Sequence, residues 1–132
     1  MTELARDLLR WFKNNGRKNL PWQSTPPNVY HIWLSEIMLQ QTQVITVIDY
    51  FNNLIVRFPD IAVLANAKED EVMSHWAGLG YYSRARNLHK TAKIVASHHK
   101  GIFPKKYDEI VALPGIGPST AGAILSLGSG LS

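Results

Sequence analysis

No window of this 132-residue chain alternates apolar and polar residues with period two. The apolar residues instead recur every three or four positions: Leu4, Leu8, Leu9, Trp11 and Phe12, then Val44, Val47, Ile48, Phe51, Leu54 and Ile55. That spacing aligns side chains along one side of a 3.6-residue helix and leaves no strand to build a sheet from. The expected fold class is therefore all-α, with short helices packed on one another. A hydrophobic share of 45% against 18% charged residues is enough for one buried core and argues against disorder.

Caps and breakers divide the chain. Thr2 can open a first helix that ends near Asn14, and GRKNLPWQSTPPN reads as loop, since Gly16, Pro21, Pro26 and Pro27 interrupt any hydrogen-bond ladder. Asn28 caps a second helix through Gln41, and Thr42 caps a third. PDIAVLANA and KEDEVMSHWA give two shorter helices, the latter opened by acids suited to a helix N-terminus. After Gly78-Leu-Gly80 a basic helix spans about Tyr82 to His99, and a short one runs from Tyr107 to Ala112. Pro118 suits the first turn of a last helix. No repeat at solenoid spacing and no low-complexity tract occurs.

Charge placement narrows the partners. Between Val72 and Tyr107 there is no acidic residue, while Arg84, Arg86, Lys90, Lys93, Lys100, Lys105 and Lys106 all fall there. Such a one-sided segment is either a solvated helix face or a polyanion-binding one. The absence of cysteine removes disulfides, thiolate metal sites and cysteine nucleophiles. The five histidines have no metal-ligand spacing, so no metal site is expected. MTELARDLLRWFKNNGRK carries charge throughout, which makes a signal peptide or membrane span unexpected and a cytoplasmic, nucleoid-associated location the default.

Two motifs carry chemistry. In HIWLSEIMLQQTQV the carboxylate of Glu36 sits among Ile32, Trp33, Leu34, Ile37, Met38 and Leu39. An apolar site disfavours the ionised form and raises the pKa. Glu36 is thus either a buried residue satisfied by its neighbours or a general acid, with Gln40 and Gln43 extending a polar seam along one helix face. In LPGIGPSTA two glycines flank one apolar residue before a proline-started helix. A plain helix-helix turn would satisfy a bare Gly-x-Gly. With Leu-Pro before it and Ser-Thr-Ala after, the pattern is that of a helix-hairpin-helix, whose free N–H groups hold a DNA phosphate.

GRKNLPW, WLSEIMLQQTQV, WAGLGYYSRARNLHKTA and LPGIGPSTAGAIL, in this order, resemble the N-terminal half of the MutY family, adenine DNA glycosylases of the helix-hairpin-helix superfamily. The resemblance implies a six-helix barrel lobe over residues 21–132, with the hairpin at about 107–128. Residues 1–20 would be a helix and linker belonging with an iron-sulfur domain beyond this stretch. It implies that Glu36 is the catalytic acid, protonating N7 of an adenine flipped from a duplex. Trp22, Gln23 and Leu39 would line the adenine pocket, unless Trp22 and Leu39 are plain core. Gln41, Thr42, Leu79 and Tyr81 would face the opposite base, Leu79 and Tyr81 as the wedge; helix packing is the alternative for Tyr81 and Tyr82.

Gly115, Gly117, Ser119, Thr120, Arg84 and Arg86 would hold the DNA backbone. Ser119 stands where lyase relatives carry a lysine, which implies a monofunctional hydrolase acting on double-stranded DNA with A:8-oxoguanine or A:G mispairs. Two further family features, a catalytic aspartate and four cysteines for a [4Fe-4S] cluster, follow the hairpin's second helix and do not occur here. The expectation is therefore a fragment with no cofactor of its own and little activity alone, with exposed apolar surface on helix one and at Ile124, Leu125 and Leu127 favouring a homo-oligomer. A truncated, non-catalytic mispair-binding module is the alternative.

Overall fold

A computed structural model describes residues 20–128. The expected first helix, and the self-association through it, lie outside them. Seven helices follow: α1 (Val29–Leu39), α2 (Val44–Arg57), α3 (Ile61–Asn66), α4 (Glu69–Trp76), α5 (Ser83–His98), α6 (Tyr107–Val111) and α7 (Pro118–Gly128). No strand occurs among the described residues, as the periodicity requires. No helix among them is long and apolar enough to cross a membrane.

The helix starts follow the capping residues. The Asn28 side chain accepts from the His31 amide at 3.0 Å, and that of Asp60 from Val63 at 2.9 Å. Each such cap satisfies a donor that has no intrahelical partner. Glu69, Asp70 and Glu71 occupy the first turn of α4, and Pro118 is the first residue of α7.

Helix α1 is the axis of the molecule. It buries Ile32, Trp33, Leu34, Ser35, Ile37 and Met38, so it is apolar around most of its girth, and it packs against α2, α5 and α7. Helices α3 and α4 close the other side of α5, and α6 pairs with α7. Trp33, Trp76, Phe51 and Phe58 fill the centre with no exposed surface. Full burial of a large apolar side chain contributes about 1.5–3 kcal/mol, so this cluster supplies much of the driving force. Leu20, assigned to the linker by sequence, is buried in the same core.

Three boundaries differ from expectation. Helix α1 ends at Leu39, because Gln40 is extended, with ψ 115°, and Gln41 then takes a left-handed φ of 60° and turns the chain. Gln40 is therefore the C-cap of α1 and Gln43 the N-cap of α2, which splits the expected seam of Glu36, Gln40 and Gln43. Thr42 does not cap α2, since its hydroxyl lies in the bend and meets Arg84. Ile124 is buried, at 2% exposure, so of the expected patch on α7 only Leu127 is largely exposed.

Candidate active site and nucleic-acid interface

Glu36 lies on α1 between buried Ser35 and Ile37, with its own side chain half-buried. No hydrogen bond or ion pair engages it among the described residues. Burial pushes its carboxyl above the usual glutamate range, and nothing nearby counters the shift. Removing water from a carboxylate disfavours its charge, and a donor or cation would be needed to restore it. The side chain therefore holds its proton more tightly than an exposed glutamate does.

Helix α1 also contributes Ile32 to a small open cavity of about 170 Å³, walled by Trp22, Gln23, Ser24, Pro27, Ile32 and Leu127, whose walls do not include Glu36. Ile32 stands one turn before Glu36 on α1. Trp22 is buried edge-on against Phe51, with ring centres 5.4 Å apart. Gln23 closes a tight turn, its Oε1 accepting from the Leu20 amide at 2.9 Å and its amide donating to the Leu20 carbonyl at 2.9 Å. The structure brings Trp22 and Gln23 together here. Leu39, expected beside them, is not among the walls; it packs half-buried against the core.

The hairpin is anchored by Leu113 and Ile116, both buried, with the Ile116 amide donating to the Leu113 carbonyl at 3.2 Å. Gly115 has φ +78°, and a Cβ there would meet Cβ of Asn87 at 3.0 Å. From α5, the Thr91 hydroxyl donates to the Pro114 carbonyl at 2.9 Å. Neither glycine amide finds an acceptor among the described residues. With the first-turn amides of Ser119 and Thr120 on α7, they form a cluster of donors at a helix N-terminus, the geometry that binds a phosphate. Gly117 has no left-handed backbone and nothing near its Cβ position, so of the two glycines it is Gly115 that the turn requires.

Arg86, Lys90, Lys93, Lys100, Lys105 and Lys106 are exposed. Arg86 and Lys90 stand on α5, the helix that meets the hairpin through Asn87 and Thr91. Arg84 is a correction. Expected at the DNA backbone, it is only 8% exposed and its guanidinium is occupied inside the fold. Leu79 is another: it is 8% exposed within the core and cannot be a projecting wedge tip. Tyr81 is 59% exposed, with φ 51°, and Gln41 is exposed with φ 60°. Residues other than glycine hold this backbone only when their surroundings enforce it, and such strain collects at functional sites.

A protein-family model for the HhH-GPD superfamily base excision DNA repair proteins matches residues 34–123, the span from α1 through the hairpin. The chain belongs to that superfamily. Among curated relatives, the adenine DNA glycosylase of Buchnera aphidicola subsp. Baizongia pistaciae is 56% identical over 99% of this chain and 38% of its own length. That of Buchnera aphidicola subsp. Acyrthosiphon pisum is 53% identical over 91% of this chain and 34% of its own. The chain thus spans little more than a third of these relatives, and it matches the MutY family as its motifs implied. A thermostable thymine-DNA glycosylase superposes with a TM-score of 0.78 at 26% identity, over 97% of this chain and 58% of that one.

The HhH-GPD fold accounts for what sequence reading missed. Asn87 and Thr91 support the hairpin from α5, and Gln40 reaches α7; all three stand inside the sequence motifs, but the partners that define these roles lie in another segment. Clusters of the [4Fe-4S] type need thiolates, and this stretch has no cysteine, so its residues do not fit that group. No grouping of three or more metal-ligating side chains occurs among the described residues.

Proposed function

We propose that this chain is the acid-bearing, DNA-holding lobe of a monofunctional adenine DNA glycosylase of base excision repair, which removes adenine mispaired with 8-oxoguanine or guanine. The observation that carries the reading is Glu36, half-buried, unpaired among the described residues and raised in pKa by burial. A general acid must carry a proton to give, and burial without a pairing cation shifts Glu36 in that direction.

Glu36 gives its proton to N7 of an adenine turned out of the duplex. The bond from C1′ to N9 then breaks, its electron pair staying with the neutral base. The sugar is left as an oxocarbenium ion, and water adds its oxygen to C1′ while its proton returns to the glutamate. Ser119, exposed at the start of α7, has no amine to form a Schiff base, so the product is an intact abasic site. The hairpin amides and Arg86 hold the backbone of double-stranded DNA, and the exposed Tyr81 and Gln41 face the opposite base. Such a substrate places the protein with the nucleoid.

Within these 132 residues the resemblance supplies the glutamate but no partner aspartate, so this stretch alone is expected to release adenine very slowly. The direct test is base release by the full protein from duplexes with adenine opposite 8-oxoguanine, guanine or thymine, with borohydride present in parallel. Free adenine from the first two and no trapped adduct supports the reading. A covalent adduct, or no preference among the three, overturns it.

A further inference from the structure

Arg84 holds together two corners that are distant in sequence. Its Nη1 donates to the carbonyls of Ile37 at 3.0 Å and Met38 at 2.8 Å, and also to that of Gln40. Its Nη2 donates to the Thr42 hydroxyl and to the Gly80 carbonyl, both at 3.3 Å. The guanidinium lies over the rings of Trp76, at 5.2 Å, and Tyr81, at 5.4 Å. Trp76 completes the arrangement, its Nε1 donating to Gly80 at 2.9 Å.

The chemistry of this contact is specific to a planar fork. The last carbonyls of α1 have no intrahelical donor and sit at the negative end of its dipole, so a cation there both caps and neutralises them. The ion pairs among the described residues join Arg57 to Glu71 and His99 to Glu109. No carboxylate among them balances Arg84, whose burial is compensated by carbonyl dipoles, a hydroxyl and aromatic faces. The residues that follow these bonds are Gln41 and Tyr81, both left-handed and both exposed. Five donor-acceptor contacts on one guanidinium therefore adjoin two of the three non-glycine residues with positive φ among the described residues, Lys100 being the third.

We propose that Arg84 is a positioning residue that fixes the 40–42 bend and the 78–82 turn as one rigid surface, and so sets how strictly the opposite base is read. The second half rests on the reading of Gln41 and Tyr81 given above; the first does not. Arg84 touches neither the flipped base nor the sugar in this account. It acts only through the two backbones it binds.

The test is hydrogen exchange combined with binding discrimination, in the full protein and its Arg84→Lys variant. Lysine keeps the charge but presents one point donor group in place of the fork. Amides of 40–42 and 78–82 should exchange faster together in the variant, by about ten-fold or more, the factor for losing one or two charge-assisted hydrogen bonds. Those of 113–117 should be unchanged. Preference for an A:8-oxoguanine duplex over an A:T duplex should fall by a similar factor, with affinity for the A:T duplex retained.

Should the variant fail to fold, native-state exchange of the unaltered protein carries the test: the two segments should open as one unit with one denaturant dependence. Independent opening overturns the proposal, as does acceleration of neither segment, of one alone, or of the whole chain equally. Joint acceleration with unchanged discrimination upholds the positioning role and refutes the opposite-base reading.

Discussion

Nε2 of Gln40 donates to Oγ1 of Thr120 across 3.3 Å. This bond joins the end of the helix that carries Glu36 to the first turn of the hairpin's second helix. It places Glu36 and the hairpin on a common frame, and because Thr120 Oγ1 is the acceptor, both the amide and the O–H proton of Thr120 remain available as donors. A neutral hydrogen bond of this kind contributes about 0.5–1.5 kcal/mol. Gln40→Ala and Thr120→Val should each lower stability in that range, and the double variant should lose less than their sum. A urea-denaturation cycle with strictly additive losses would show that the two side chains do not interact.

Gly115 and Gly117 should separate sharply on substitution. At φ +78° an alanine has a left-handed backbone, a penalty of about 1–2 kcal/mol, and its Cβ also presses on Asn87. Gly115→Ala should therefore distort the hairpin and weaken binding to any duplex, whereas Gly117→Ala should stay within about 0.5 kcal/mol in stability. Equal thermal shifts for the two variants would contradict the geometry.

Binding should respond steeply to salt. The proposed interface brings the hairpin amides and exposed Arg86 and Lys90 to phosphates, and each phosphate neutralised adds about −0.9 to the slope of log K against log salt. Titrating an undamaged duplex from low to moderate salt should give a slope of several units, with little dependence on sequence. Arg86→Gln should reduce the slope by about one. A flat salt response would remove the phosphate interface from the account.

Glu36 should leave a signature in the pH dependence of stability. Its folded pKa is raised, so the folded state binds this proton more tightly than the unfolded one. That contribution is fully present below the ordinary glutamate value of about 4.3 and is lost as pH rises through the raised one. Glu36→Gln lacks the loss. Urea unfolding from pH 4 to pH 8 should show the variant gaining on the native protein as pH rises, and the opposite trend would mean that Glu36 is stabilised as a carboxylate.

What was legible in the sequence is what local chemistry dictates. Asn28 and Pro118 marked helix starts because a cap acts within one turn, and the two glycines of LPGIGPSTA, set between Leu-Pro and Ser-Thr-Ala, marked the hairpin because its turn is local. Glu36 stood out because a carboxylate among Trp33, Ile37 and Met38 contradicts its surroundings. Arg84 did not, since an arginine in a basic run looks like its exposed neighbours. Its partners Ile37, Met38 and Gln40 lie more than forty residues away and act through backbone carbonyls, which carry no sequence signal. Leu79, a wedge residue by resemblance, is folded inward by the turn between Gly78 and Gly80, which its own segment did not reveal.

The central claim is that Glu36 is an acid and not a core residue. Single-turnover release of adenine from an A:8-oxoguanine duplex, by the full protein and its Glu36→Gln variant, tests it most directly. The amide keeps the shape and has no proton to give. The account predicts a fall of about a hundred- to ten-thousand-fold in rate with mispair affinity nearly unchanged, and in the native protein a rate that declines as pH rises through the raised pKa. Excision by the Gln variant at close to the native rate would contradict it.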